Sequence, residues 1–163
     1  MNKRDVTLTV ICLFAFIYTS VWVHVYLNSR AELLRGDALK SEIPNFYREY
    51  AKLVPLKSKD LLPEGDEDKF EKAQYDYFQS VVKATTAYDN CLHSYTPFSK
   101  YLPKAAEALI AIGDDCFNQN EFHLALSAYR TVSISPDPVL VQIASDRVKK
   151  TYDKMEFLQS RMR

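Results

Sequence analysis

The sequence predicts an all-α protein, with an N-terminal transmembrane helix followed by a small helical domain. Three observations carry that prediction. Apolar and aromatic residues recur at steps of three and four, and no stretch alternates as a half-buried strand would. Glycine occurs only at Gly36, Gly65 and Gly113, so chain-reversing turns of the hairpin kind are few. Residues Asn2-Lys3-Arg4-Asp5 precede a run from Val6 to Leu27 that holds no Asp, Glu, Lys or Arg. Three units are expected: an anchor over 1–30, a juxtamembrane helix and linker over 31–66, and the helical domain over 67–163.

The anchor is argued from length. Val6–Leu27 reaches about 33 Å as a helix, enough to cross the hydrocarbon core of a bilayer. Trp22 and Tyr26 stand near its end, where amphipathic rings favour the membrane–water interface, and His24 belongs with them. A cleaved signal peptide would have a shorter apolar region than Val6–Leu27, so a retained anchor is favoured. Lys3 and Arg4 precede the span; Arg30 and Arg35 follow it, diluted by Glu32. The bulk of the chain therefore lies in an aqueous compartment on the C-terminal side, with the N-terminus cytoplasmic if the membrane is a bacterial inner membrane.

After the span, Asn28–Arg35 continues the helix and Gly36 is read as its stop. A short helix from Pro44, capped by Ser41, would place Phe46, Tyr50 and Leu53 on one face and end at Pro55. Val54–Asp66 reads as a linker, interrupted by Pro55, Pro63 and Gly65. Glu64, Asp66, Glu67 and Asp68 then suit the start of a helix, where carboxylates favour the macrodipole; a docking patch for basic peptides is the sharper reading. From Asp68 to Tyr95 there is neither Gly nor Pro. Phe70, Ala73, Tyr77, Val81, Thr85, Tyr88, Cys91 or Leu92, and Tyr95 form one unbroken stripe, which predicts a single long helix ended by Thr96-Pro97-Phe98. A shift of 34 residues offers a rival, in which Lys72–Pro103 is a degenerate helical hairpin turning near Thr85-Thr86.

Ala106–Pro138 organises the rest. A helix over Pro103–Gln119 carries Leu109, Ile112, Gly113 and Cys116 or Phe117, and a second, from Glu121 to Ser133, carries Phe122, Ala125, Tyr129 and Val132. Gly113 and Ala125 lack bulk where the two axes cross, Phe122 and Tyr129 fill the space beside them, and Asn120 can take the left-handed turn between them. This order of residues is similar to that of a tetratricopeptide repeat. Pro138–Arg163 follows, with Ser135 or Asp137 as cap and a stripe of Leu140, Ala144, Val148, Thr151, Met155, Leu158 and Met162; it is expected to cover the repeat's open edge as a capping helix.

Composition narrows the chemistry. With 21 basic and 21 acidic residues the chain has no net field to draw nucleic acid. Neither phosphate-binding glycine motif can be written with the three glycines present. Cys12, Cys91 and Cys116 form no CxxC pair and stand at no metal-ligand spacing from a histidine. Buried apolar thiols, or a Cys91–Cys116 disulfide in an oxidising compartment, remain the two alternatives. His93 and His123 lack partners, and Ser127 with His123 does not make a triad. The expectation is a binding protein, not an enzyme, with no cofactor and no metal.

Anchor, single repeat and the Pro-x-Pro start of the next helix together resemble the Tom20 family, the presequence receptors of mitochondrial protein import. The likeness runs through Ile110-Ala-Ile-Gly-Asp-Asp115, Ser135-Pro-Asp-Pro-Val-Leu-Val-Gln-Ile143 and the Pro44-Asn-Phe-Tyr-Arg-Glu49 stretch after the anchor. It implies helix-in-groove recognition of amphipathic targeting peptides. Ile110 on one wall and Val139, Leu140 and Ile143 on the other would line the groove, with Asp114 and Asp115 at a rim that attracts basic peptides. It also implies the mitochondrial outer membrane, facing the cytosol; without it a bacterial or mitochondrial inner membrane fits the anchor equally. A second function class is a structural subunit or assembly factor of a membrane complex, its aromatic helix Asp68–Tyr95 buried against partner proteins.

Overall fold

The computed structural model describes residues 3–58, 66–94 and 99–161. The protein is all-α: α1 (Lys3–Ser58), α2 (Glu67–His93), α3 (Tyr101–Asn118), α4 (Phe122–Thr131), a 3-10 turn (Val132–Ile134) and α5 (Pro138–Arg161), with no strand among the described residues. Tyr95 and Thr96-Pro97-Phe98 lie outside the described residues, as do Gly65, Glu64, Met162 and the middle of the expected linker.

Two departures from expectation occur in α1. Gly36 does not stop the helix, and no separate helix begins at Pro44: α1 runs unbroken for 56 residues with Pro44 and Pro55 inside it. The 54–58 part of the expected linker is its last turn. Each internal proline removes one i→i−4 hydrogen bond, and packing of the flanking turns outweighs that loss. Leu33, Ile43 and Tyr50 are buried, and Leu39, Tyr47 and Leu53 pack against the same core. Phe46, expected on the inner face, is 36% exposed, because the buried face is set by Ile43, Tyr47 and Tyr50.

Gly36 stays in the helix for a packing reason. The ring of Tyr88 lies directly on it: a Cβ added at Gly36 would stand 2.6 Å from Tyr88 Cε1. Tyr88 is wholly buried, and its Oη donates 2.7 Å to Asp37 Oδ1 on the next residue of α1. The same arrangement recurs between α3 and α4. There the ring of Tyr129 occupies the space over Gly113, closer than any real Cβ would allow, and Tyr129 Oη donates 2.7 Å to Asp114 Oδ1. Ala84 and Ala125, each four residues before its tyrosine, are both fully buried. The chain therefore holds two antiparallel pairs, α1/α2 and α3/α4, built on the same Gly-Asp and Ala-x-x-x-Tyr contacts.

This also decides the two readings of residues 68–95. Helix α2 is one helix through Thr85-Thr86, so the degenerate hairpin over Lys72–Pro103 is excluded. Its stripe is inward as expected: Phe70, Tyr77, Val81, Thr85, Tyr88, Cys91 and Leu92 are buried. Its partner is α1. The first pair is longer than the second, with 48 residues from Gly36 to Ala84 against 12 from Gly113 to Ala125. An aromatic stack fills the extension: Tyr50 lies parallel to Tyr77 at 5.5 Å and is tilted against Phe70 at 5.7 Å, with Tyr47 and Phe78 at the edges. Such pairs add about 0.5–1.5 kcal/mol each beyond the area they bury.

The later elements follow expectation closely. Asn120 takes the left-handed conformation, with φ of 63°. Asp137 caps α5, its Oδ1 accepting from Val139 N at 2.9 Å, and Ser135 Oγ accepts from Asp137 N at 3.2 Å. Ala144 and Thr151 are the buried residues of α5, and Leu140 and Val148 are partly buried against the core.

Alanine at Gly36 or Gly113 tests the crossings. On an exposed helical site glycine-to-alanine stabilises by about 1 kcal/mol. Here the added methyl displaces a buried ring, and each substitution should destabilise by roughly 1–3 kcal/mol. Circular-dichroism melts of the full chain in detergent should show both midpoints lowered; a raised midpoint at either site would show that the ring does not rest there.

Candidate functional site

Helices α1, α3 and α5 run in one direction and α2 and α4 in the other. Tyr26 of α1 meets Tyr101 at the start of α3, while Tyr47, further along α1, shares a cleft with Gln119 at the end of α3. The expected groove would lie where α3 and α5 meet. Ile110 and Leu140 pack partly against the core from the two sides. Val139 and Ile143, one turn apart on α5, are 65% and 38% exposed. Helices α3 and α5 meet through Asp114 with Arg147 and Phe117 with Lys150, and α2 packs on α1, α3 and α4.

The two carboxylates divide. Asp115 is exposed, but it lines a neighbouring cleft of about 270 Å³ between α1 and α3, with Lys40, Ile43, Pro44, Tyr47 and Ile112. Asp114 is engaged: it accepts from Tyr129 Oη, and Arg147 Nε of α5 stands 3.0 Å from the same Oδ1. This three-residue tie joins α3, α4 and α5, so Asp114 acts first as a brace. Exposed Glu107 lies two turns before Asp115 on α3 and offers a second rim carboxylate. All three glycines are followed by Asp, at Gly36-Asp37, Gly65-Asp66 and Gly113-Asp114, so the dipeptide alone did not single out the bracing positions.

Several other polar groups are paired within the core. Tyr50 Oη donates to Glu121 Oε1 at 3.2 Å, and Tyr77 Oη donates to Gln119 Oε1 at 2.5 Å, so α1 and α2 both grip the turn between α3 and α4. Burial pushes the Tyr50 phenol up to about 12, helped by the Glu121 charge, and raises Tyr77 further. Burial also raises the Glu121 carboxyl, against the hydrogen bond from Tyr50, which lowers it. Cys91 and Cys116 are buried free thiols, each pushed up to about 11 by desolvation. Cys116 Sγ lies 3.8 Å from Tyr77 Oη, and Cys91 Sγ lies 4.0 Å from the Tyr101 carbonyl.

His123 and Ser127 line a surface cleft between α4 and α5 with Arg130, Tyr152 and Met155, and no carboxylate lines it. Arg130 Nη2 meets Tyr152 Oη there. His93 is exposed and pairs with Asp89 one turn back. No group of His, Cys, Asp and Glu among the described residues is arranged to hold a metal ion.

Glu121 gives a pH test. Its carboxyl is raised above its ordinary value of 4.5, so the folded state binds the proton more tightly than the unfolded chain does. The associated stability is complete below the unfolded value and is lost as pH rises through the folded one. Glu121→Gln keeps an acceptor for Tyr50 and has no charge to bury. Its melting midpoint should exceed the parent's at neutral pH and converge with it below about pH 4; a variant less stable than the parent at neutral pH would contradict this.

No known protein family, curated protein or solved structure matches the chain.

Proposed function

We propose that the chain is a single-pass membrane receptor whose tetratricopeptide-like domain binds amphipathic helical peptides between α3 and α5, as the presequence receptors of mitochondrial import do. The observation that carries this reading is the apolar pair Val139 and Ile143, left open beside half-buried Ile110 and Leu140 at the junction of two packed helices. A peptide helix laying one apolar face there would cover them, while its basic face met Glu107. Binding is weak, because the peptide must order as it binds.

The anchor reading is supported by α1 itself. It is long and apolar enough to cross a membrane, and its apolar window is wholly unburied, unlike the core helix of a soluble protein. Leu8, Phe14, Phe16 and Tyr18 each expose about two thirds of their surface, and nothing in the described chain covers them. A signal sequence meets the same length and composition; the unbroken run of α1 from this stretch into the core favours a retained anchor.

The scaffold-subunit alternative drew on the aromatic helix α2, which would need partners to bury it. Within this chain Tyr77, Tyr88 and Phe70 are already buried, and α2 leaves only Tyr75 and Val82 as large apolar side chains open to a partner.

Ile143→Asp tests the groove. The side chain is partly exposed, so the fold should persist by circular dichroism. Binding of an amphipathic basic peptide helix, followed by NMR shifts on the full chain in nanodiscs, should weaken at least about ten-fold, as for a central anchor residue. Unchanged peptide shifts in the variant would overturn the receptor reading.

A further inference from the structure

The folded domain begins within one turn of the point where the apolar stretch of α1 ends. Trp22 and Tyr26 stack at 5.6 Å on the last turns of that stretch. Tyr26 then meets the first residue of α3: its ring centroid is 5.1 Å from that of Tyr101, and Tyr26 Oη donates to Tyr101 Oη at 3.1 Å. Asn28 Nδ2 donates to Ser94 Oγ at 3.1 Å, and Ser29 Oγ donates to the Ser94 carbonyl at 2.6 Å. Ser29 is already fully buried. The end of α2 and the start of α3 are therefore pinned to α1 at the height of residues 26–29.

That height has a physical meaning. From Thr7 to Leu27 the helix rises about 30 Å, the thickness of the hydrocarbon core, and the headgroup layer adds a further 5–8 Å or so on each side. With the apolar stretch across the core, Tyr26 stands at the boundary and Tyr101 stands beside it. Ser94, held by Asn28 and Ser29, lies two to three residues' rise higher, about 3–4.5 Å. No flexible segment separates span from domain, so this corner cannot stand clear of the lipid surface. Three cations stand exposed here, Arg30, Lys100 and Lys104, with Lys100 Nζ 5.7 Å from the centre of the Tyr101 ring. Nearby carboxylates are Glu32, 3.7 Å from Arg35, Asp89, beside His93, and exposed Glu107, one turn along α3 from Lys104.

We propose that Tyr26, Arg30, Ser94, Lys100, Tyr101 and Lys104 form a lipid-contact surface that seats the domain directly on the phospholipid headgroups of the membrane crossed by α1, with a preference for anionic headgroups. This rests on the membrane-anchor reading. Aromatic rings at the boundary and cations one step above it are the side chains that an anionic interface recognises. The helices then stand up from the membrane in one orientation. The α3–α5 edge is held at a fixed distance from the surface, and the α3–α4 turn at Asn120 points away from it.

The test uses the full chain in nanodiscs carrying a trace of lipid with a gadolinium-chelating headgroup, and reads paramagnetic relaxation of each amide. Discs of phosphatidylcholine are compared with discs of phosphatidylcholine mixed with phosphatidylglycerol. The expected result is several-fold greater relaxation at Lys100–Lys104 than at Gln119–Glu121, increasing in the anionic discs. In the Lys100→Glu/Lys104→Glu variant, that increase should disappear while the helical circular-dichroism spectrum is kept. Relaxation at residues 22–28 with none at 100–104, or equal relaxation across the domain, would overturn the proposal while leaving the anchor intact. A chain that fails to co-purify with the discs would overturn both.

Discussion

Two tyrosine rings, Tyr88 and Tyr129, each rest on a glycine in the facing helix, and each donates from its hydroxyl to the aspartate that follows that glycine. The rest of the fold depends on this contact. A bare backbone at Gly36 and Gly113 lets two helices approach within the thickness of a ring, and the buried phenol must find an acceptor because an unpaired buried hydroxyl is costly. Asp37 and Asp114 supply it from the helix surface, where the carboxylate keeps contact with water. The ring and its hydroxyl together set both the spacing and the rotation of each pair. Once both pairs are set, α3 lies against α1 and α2, and the second pair offers its open edge to α5.

This contact also explains why α1 is continuous. A glycine, followed eight residues later by a proline, reads locally as a place where a helix ends. The cost of keeping both in a helix is a few kcal/mol. Burying Tyr88, Leu33, Ile43 and Tyr50 along the same face returns more than that, at about 1.5–3 kcal/mol for each large side chain. The consequence for function is mechanical. The helix proposed to cross the membrane is also the first helix of the folded domain, so the domain is mounted rigidly and not tethered.

Much of the second pair was legible in the sequence, because its determinants are local. Gly113, Ala125 and Tyr129 fall within 17 residues, Asn120 marks the turn and Asp137 marks the next helix. The α2 stripe was equally plain, since nothing interrupts its period. The first pair was hidden for a definite reason: its long hairpin places Ala84 and Tyr88 far from Gly36, and a constant repeat length was the wrong thing to seek. The same contacts do recur, but at a shift of 41 residues for Ala84 and Tyr88 and 77 for Gly36. For the candidate groove, the sequence placed Ile110 on α3 and Val139, Leu140 and Ile143 on α5, two helices that pack on each other. The engagement of Asp114 by Tyr129 and Arg147 was not readable, since it requires knowing that α5 crosses α3 at that turn.

The continuity of α1 through its apolar stretch into the core is the claim on which both the fold and its proposed mounting stand. Amide hydrogen exchange on the full chain in nanodiscs, read residue by residue from Asn28 to Ser58, tests it most directly. The account predicts protection approaching that of α3 across Leu33–Tyr50, passing through Gly36 and interrupted only at Pro44, which has no amide proton. Fast exchange confined to residues 33–38, with protection on either side, would mean a hinge at Gly36 and would contradict it.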